Sequence, residues 1–123
     1  MNWPAVGAVL MALAVAMGAF GAHALRPHLD EYARSVYDKA VFYHFVHALG
    51  ILLVAALARA QALSTVGQAR VSWFLLVGIV FFSGSLYALA ISGVRVLGAI
   101  TPVGGLAFII GWIWLAVETV RYR

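Results

Sequence analysis

His23, His44, His47, Ser83, Ser85, Tyr87 and Thr101 are the side chains of this sequence best equipped for chemistry. A neutral imidazole ligates metals and exchanges protons near neutral pH, and hydroxyls beside it donate, accept or hold a polar headgroup. All seven lie within or at the ends of long apolar stretches, where polar groups must find partners or line a wet cavity. They are therefore expected to converge at one end of a membrane bundle. Their spacing names a place and no reaction.

His44 and His47 stand three residues apart on one helical face, close enough to share a ligand, while Ser83, Ser85 and Tyr87 reach the same level from a later segment. Metal coordination, proton transfer and headgroup binding are the functional readings of such a cluster. The plainer reading bonds each imidazole to a serine, a tyrosine or a backbone carbonyl of a neighbouring helix, as a packing device. Three histidines with the carboxylates elsewhere make a poor zinc or haem site, so neither a metal nor any other cofactor is assigned. No paired carboxylates fall within the apolar stretches and no Gly-x-Ser-x-Gly motif occurs, so no catalytic residue is proposed and the chain is not expected to be an enzyme. Ser83-Gly84-Ser85 reads as a packing notch, and Glu118 as an interfacial partner of Arg121.

The elements carrying these residues follow from composition. At 65% hydrophobic, 10% charged and a mean hydropathy of +1.02, the chain lies outside the soluble range and reads as an all-α integral membrane protein. Its 123 residues hold four spans of about 20 residues each and leave nothing for a soluble domain. The spans are read at about 3–25, 40–58, 71–91 and 96–120, forming one membrane domain over 1–123. The first is read as a retained helix and not a cleaved signal peptide, because no Lys or Arg precedes it and its apolar run is long. There is no cysteine, which excludes disulfides, thiolate metal sites and covalent haem attachment. The net charge of +4 comes from eight scattered Lys and Arg, which suits interfacial anchors and does not suit a nucleic-acid partner.

An even number of crossings puts both termini and the 59–70 connection on one side, here side A, and the other two connections on side B. Trp3, Trp73, Trp112 and Trp114 all fall toward side A, while Tyr32, Tyr37, Tyr43 and Tyr87 fall toward side B, as interfacial belts should. Arg59, Arg70, Arg121 and Arg123 on side A balance Arg26, Arg34, Lys39 and Arg95 on side B; the acidic residues on side B tip side A toward the cytoplasm. Leu29, Tyr32, Ala33, Val36, Tyr37 and Ala40 repeat at helical spacing opposite Asp30, Glu31, Arg34, Ser35, Asp38 and Lys39. An amphipathic interfacial helix is therefore expected between the first and second spans, roofing the polar end. Gly7, Ala14, Gly18 and Gly21, then Gly78, Ser85 and Ser92, then Gly104 and Gly111, form small-residue seams that favour a four-helix bundle. Thr101-Pro102 marks a helix start with a capping hydroxyl, or else a kink.

Four stretches carry a family resemblance: Gly18-Ala19-Phe20-Gly21-Ala22-His23, Tyr43 to Leu49 with His47-Ala48-Leu49, Phe82-Ser83-Gly84-Ser85-Leu86-Tyr87, and Thr101-Pro102-Val103-Gly104-Gly105 followed by Gly111-Trp112. Together they resemble the YgdD-like family of small bacterial inner-membrane proteins, which has relatives in eukaryotes and no assigned biochemical activity. The resemblance implies four spans and puts His23, His47, Ser83, Ser85, Tyr87, Thr101 and Pro102 in motif positions. His44 departs from the pattern, where glutamine is usual, so a metal site needing both His44 and His47 is not what the resemblance implies.

The expected ligand-binding residues are thus His23, His47, Ser83, Ser85, Tyr87 and Thr101, with Pro102 as helix start or kink and Tyr43, His44 and Arg95 as accessories. The leading functional expectation is a non-catalytic accessory or scaffold of the bacterial inner membrane. Its partners would be the lipid bilayer, another membrane protein or copies of itself. A small transporter or channel subunit for an ion, proton or headgroup is the alternative, with a haem or metal protein behind it.

Overall fold

Asn2, Asp30 and Ser64 each stand just before a helix, and each side chain accepts an exposed backbone amide: Ala5 at 3.0 Å, Ala33 at 2.7 Å and Gly67 at 2.9 Å. These are the donors that a helix start leaves without intrahelical partners, and small oxygen-bearing residues satisfy them best. The computed structural model describes residues 1–122 and is all helical, so Arg123, counted above among the side A charges, lies outside the described residues.

Helix α1 runs Trp3–Phe20 and continues through a π-helical turn, Gly21–Leu25, and a 3-10 turn, Arg26–His28. Helix α2 spans Glu31–Arg59. Helix α3, Thr65–Gly78, passes through a second π turn, Ile79–Ser83, into α4, Gly84–Ser92. A 3-10 turn, Arg95–Ala99, leads into α5, Thr101–Arg121. Joined in this way, the helical stretches are 26, 29, 28 and 27 residues long, and all four are apolar enough to cross a membrane. At about 1.5 Å per residue each exceeds a hydrocarbon layer of about 30 Å, so their ends reach the headgroups.

No separate amphipathic helix lies between the first two spans; the expected one is the opening of α2. Asp30 caps the helix, and nothing interrupts it as far as Arg59. The apolar face that suggested a surface-lying element is turned inward instead. Val36, Tyr37 and Ala40 are buried in a cluster with Leu29 and with Leu86, Leu89 and Ala90 of α4. The 3.6-residue pattern of a helix resting on lipid and of one resting on another helix is the same, and here the protein neighbour takes the face.

Helix α2 is the shared neighbour, packing on α1, α3, α4 and the second π turn, while α5 packs on α3 and that same turn. A second cluster fills the side A half. There Ile51, Val54, Val71 and Leu75 are fully buried beside Trp3 and Phe108. Trp3 is not an interfacial belt residue but a core one, edge-on to Trp73 at 5.3 Å.

Close approach is sharpest where α5 crosses the second π turn. A Cβ at Gly104 would sit 2.2 Å from the Phe82 amide nitrogen and 2.7 Å from the Phe81 carbonyl carbon, so only glycine lets the two backbones touch. Gly21 and Gly78 serve similarly against the rings of Tyr37 and Phe108. Gly104→Ala is expected to cost about 1–3 kcal/mol in thermal unfolding followed by circular dichroism in detergent. Gly105→Ala, whose Cβ would meet the Phe82 ring at an ordinary 3.7 Å, should stay within about 0.5 kcal/mol. Equal melting of the two variants would contradict the backbone contact.

Candidate functional site

Serine has one hydroxyl proton and little reach, so within a bundle it bonds whatever backbone or hydroxyl lies directly across. Ser83, fully buried at the end of the second π turn, donates to the Ala40 carbonyl of α2 at 2.8 Å. Ser85 donates to the Phe82 carbonyl at 2.9 Å and lies 2.7 Å from the Thr101 hydroxyl of α5. Because its single proton goes to Phe82, Thr101 is the donor to Ser85. Thr101 therefore does not cap its helix, as the Thr-Pro pair suggested; its hydroxyl ties α5 to α4. Pro102 does sit in the first turn of α5, following the 3-10 turn.

His47 is buried as well. Its Nδ1 lies 2.8 Å from the Tyr43 carbonyl, one helical turn back, and Nε2 accepts from the Trp112 indole of α5 at 3.0 Å. The carbonyl can only accept and the indole can only donate, so the ring is neutral with its proton on Nδ1. Both nitrogens are thereby committed. The ring also lies flat on Phe108, centroids 3.5 Å apart and planes 11° from parallel. A lone pair for a metal would have to be taken from Trp112.

His44 turns elsewhere. Three residues along a helix is about 60° around its axis, enough here to point His44 toward α1 and α4 while His47 faces α5. The Nδ1 of His44 lies 2.9 Å from the Tyr87 hydroxyl, and its Nε2 is buried with no hydrogen-bond partner among the described residues. The Tyr87 hydroxyl can donate or accept, so this one bond fits either neutral tautomer of His44. The Tyr87 ring meets Tyr37 edge-on at 5.3 Å, and the Tyr37 hydroxyl donates to the Met17 carbonyl of α1. The two histidines thus do not share a ligand position.

Among the described residues the expected set divides in two. Ser83, Ser85, Thr101, Tyr87 and His44 lie in the side B half, and His47 lies deeper with Phe108 and Trp112. Tyr43, half-exposed, joins them through ring contacts with Phe82, at 4.5 Å, and with Phe108. His23 is brought to neither. It is exposed in the first π turn, with no hydrogen bond or ring contact among the described residues, because Gly21 takes the inward position and two residues on is nearly the opposite side. Arg95 stacks over the Tyr32 ring at 4.2 Å on the side B surface. Trp112, first read as a belt residue, is the partner that the sequence reading missed; its place on the buried Gly104, Phe108, Gly111 face was the available signal. Ser72 is the other buried hydroxyl, and no partner faces it among the described residues.

A family model described as a protein of unknown function, DUF423, matches residues 17–105, a stretch that contains the first three motif stretches and the fourth as far as Gly105, with Gly111-Trp112 beyond it. The chain belongs to the DUF423 family. UPF0382 membrane protein YwdK of Bacillus subtilis is 47% identical over 118 residues, covering 95% of this chain and 94% of the relative. UPF0382 membrane protein SH2409 of Staphylococcus haemolyticus is 42% identical over 117 residues, covering 95% and 93%. No solved structure matches. The resemblance read from the motifs is to this same DUF423 (UPF0382) family, and with four helices able to cross a bilayer the chain is an integral membrane protein.

The two histidine environments make a direct prediction. Nitrogen-15 spectra of histidine-labelled chain at neutral pH should show His47 as the Nδ1–H tautomer. Trp112→Phe should shift the His47 signals and leave those of His44 in place. An Nε2–H tautomer at His47 would contradict the assigned partners.

Proposed function

We propose that this chain is a non-catalytic component of a bacterial plasma membrane, with both termini in the cytoplasm, that acts by binding another membrane protein or lipid along its outer faces. The observation that carries the reading is the state of the polar groups. His47, Ser83, Ser85 and Thr101 spend their hydrogen bonds on other parts of the same chain, which supports a packing role for them over one as nucleophile or acid–base group. What remains available is the surface. Val9, Leu13 and Val15 of α1 and Leu106, Ile109 and Ile113 of α5 are half-exposed or more, broad apolar faces for lipid or a neighbouring helix. The named relatives of Bacillus and Staphylococcus are membrane proteins, which supports the bacterial membrane setting.

Tagged full chain expressed at its native level and extracted in mild detergent should carry a specific protein or lipid in fixed proportion, absent from an unrelated four-span protein treated alike. Recovery of the bare chain in every preparation would overturn the reading. For orientation, Gln61→Cys in this cysteine-free chain should react with an impermeant maleimide only after cells are opened. Labelling of intact cells would reverse the assigned sidedness.

A further inference from the structure

Between the end of the first span and the opening of α2 lies a cleft of about 300 Å3, apolar toward the bundle and charged toward side B. Gly18, Val41 and Phe45 line its deep end, and Arg26, Arg34 and Asp38 its mouth. The mouth lies where α1 gives way to the Arg26–His28 turn and α2 begins, which is the level of the headgroups. Along α2, Arg34 and Phe45 are eleven residues apart, or about 16 Å at 1.5 Å per residue, a span that takes in a phosphate and the first carbons of an acyl chain.

The two guanidinium groups are not spent on one another's neighbours. Arg34 is half-buried and donates from Nε to the Arg26 carbonyl at 3.0 Å, which holds its planar fork against the turn with both terminal nitrogens unbonded among the described residues. Arg26 stands 3.9 Å from an Asp38 oxygen, beyond hydrogen-bond distance, and both side chains are more than half exposed. Such a pair is weak, and two cations face one carboxylate. At the deep end, Gly18 keeps the wall open, since a Cβ there would project to 3.6 Å from Val41 and 3.8 Å from Phe45.

We propose that this cleft binds an anionic glycerophospholipid, with the phosphate on Arg26 and Arg34 and the first acyl carbons along Gly18, Val41 and Phe45. The inference deepens the reading of the chain as a binding component, and rests on it. Charge complementarity selects an anion, because arginine forks match phosphate oxygens. The apolar floor at membrane depth selects a lipid over a soluble anion, which would gain nothing from that wall. Asp38 opposes the phosphate and limits affinity.

Native mass spectrometry of the full chain in detergent, with added phosphatidylglycerol, phosphatidylcholine or inorganic phosphate, tests the site. Wild type should retain phosphatidylglycerol over phosphatidylcholine by roughly tenfold or more, about fivefold for each arginine, and should not retain phosphate. The Arg26→Gln, Arg34→Gln double variant should lose the preference, and Gly18→Leu should lower retention by filling the deep end. Arg34→Lys keeps the charge without the Nε bond and should keep most of the preference. Asp38→Asn should raise phosphatidylglycerol retention, and it carries the test together with Arg34→Lys if the double variant does not fold. Equal retention of the two lipids, phosphate binding as tight as the lipid's, or an Asp38→Asn variant no better than wild type would overturn the assignment. If the preference is absent while a protein partner is still recovered in fixed proportion, the accessory reading stands and the lipid site alone falls.

Discussion

A polar side chain removed from water must be answered by another polar group, and in a four-helix membrane protein the answer usually has to come from a different helix. The imidazole of His47 is the deepest instance: Tyr43 on its own helix takes the proton and Trp112 on α5 gives one back. Ser83 to Ala40, Thr101 to Ser85 and Tyr37 to Met17 repeat the arrangement across the other seams. Each bond is worth only about 0.6 kcal/mol on average in such bundles. Their value is in register, since a helix that slides or rotates leaves several polar groups unmet at once.

The apolar packing is consistent with the same register. Helix α2 is the common neighbour, and glycine lets backbones or rings close on one another at Gly21, Gly78 and Gly104. At Gly104 the close approach brings α5 near enough for Thr101 to reach Ser85 and Trp112 to reach His47. The second π turn, Ile79–Ser83, lies at this junction and ends in the serine that clips α4 to α2. On side A, Glu118 accepts from Trp114 at 2.9 Å and faces Arg70 at 3.4 Å, so its partner is on α3 and not the nearby Arg121. With the interior closed in this way, the surfaces left open are the lipid faces and the arginine-lined cleft.

Much of this was legible in the residues because hydropathy over twenty-residue lengths responds to one strong force. The four crossings depend on it, whereas the small-residue seams were legible from side-chain size and the helix start at Thr101-Pro102 from proline's missing donor. Side-chain direction depends on weaker and more local matters. His23 was expected inside, yet Gly21 already held the inward position in the same small-residue stripe, and a residue two places on must point away. The amphipathic pattern from Leu29 to Ala40 could not say whether its apolar face meets lipid or protein. Nor could the belt preference of tryptophan reveal that Trp112 turns inward, because its partner His47 lies 65 residues earlier in the chain. The two π turns shift helical phase by a residue, which a 3.6-residue count does not anticipate.

The central claim is that the hydroxyls and imidazoles of the bundle serve one another. A double-mutant cycle on Ser85→Ala and Thr101→Val, measured by reversible unfolding in detergent, probes it with near-isosteric changes on two different helices. The account predicts a coupling of about 0.6 kcal/mol, with about 1.7 kcal/mol as the upper end. Strictly additive effects of the two substitutions would contradict it, because hydroxyls bonded to each other cannot be lost independently.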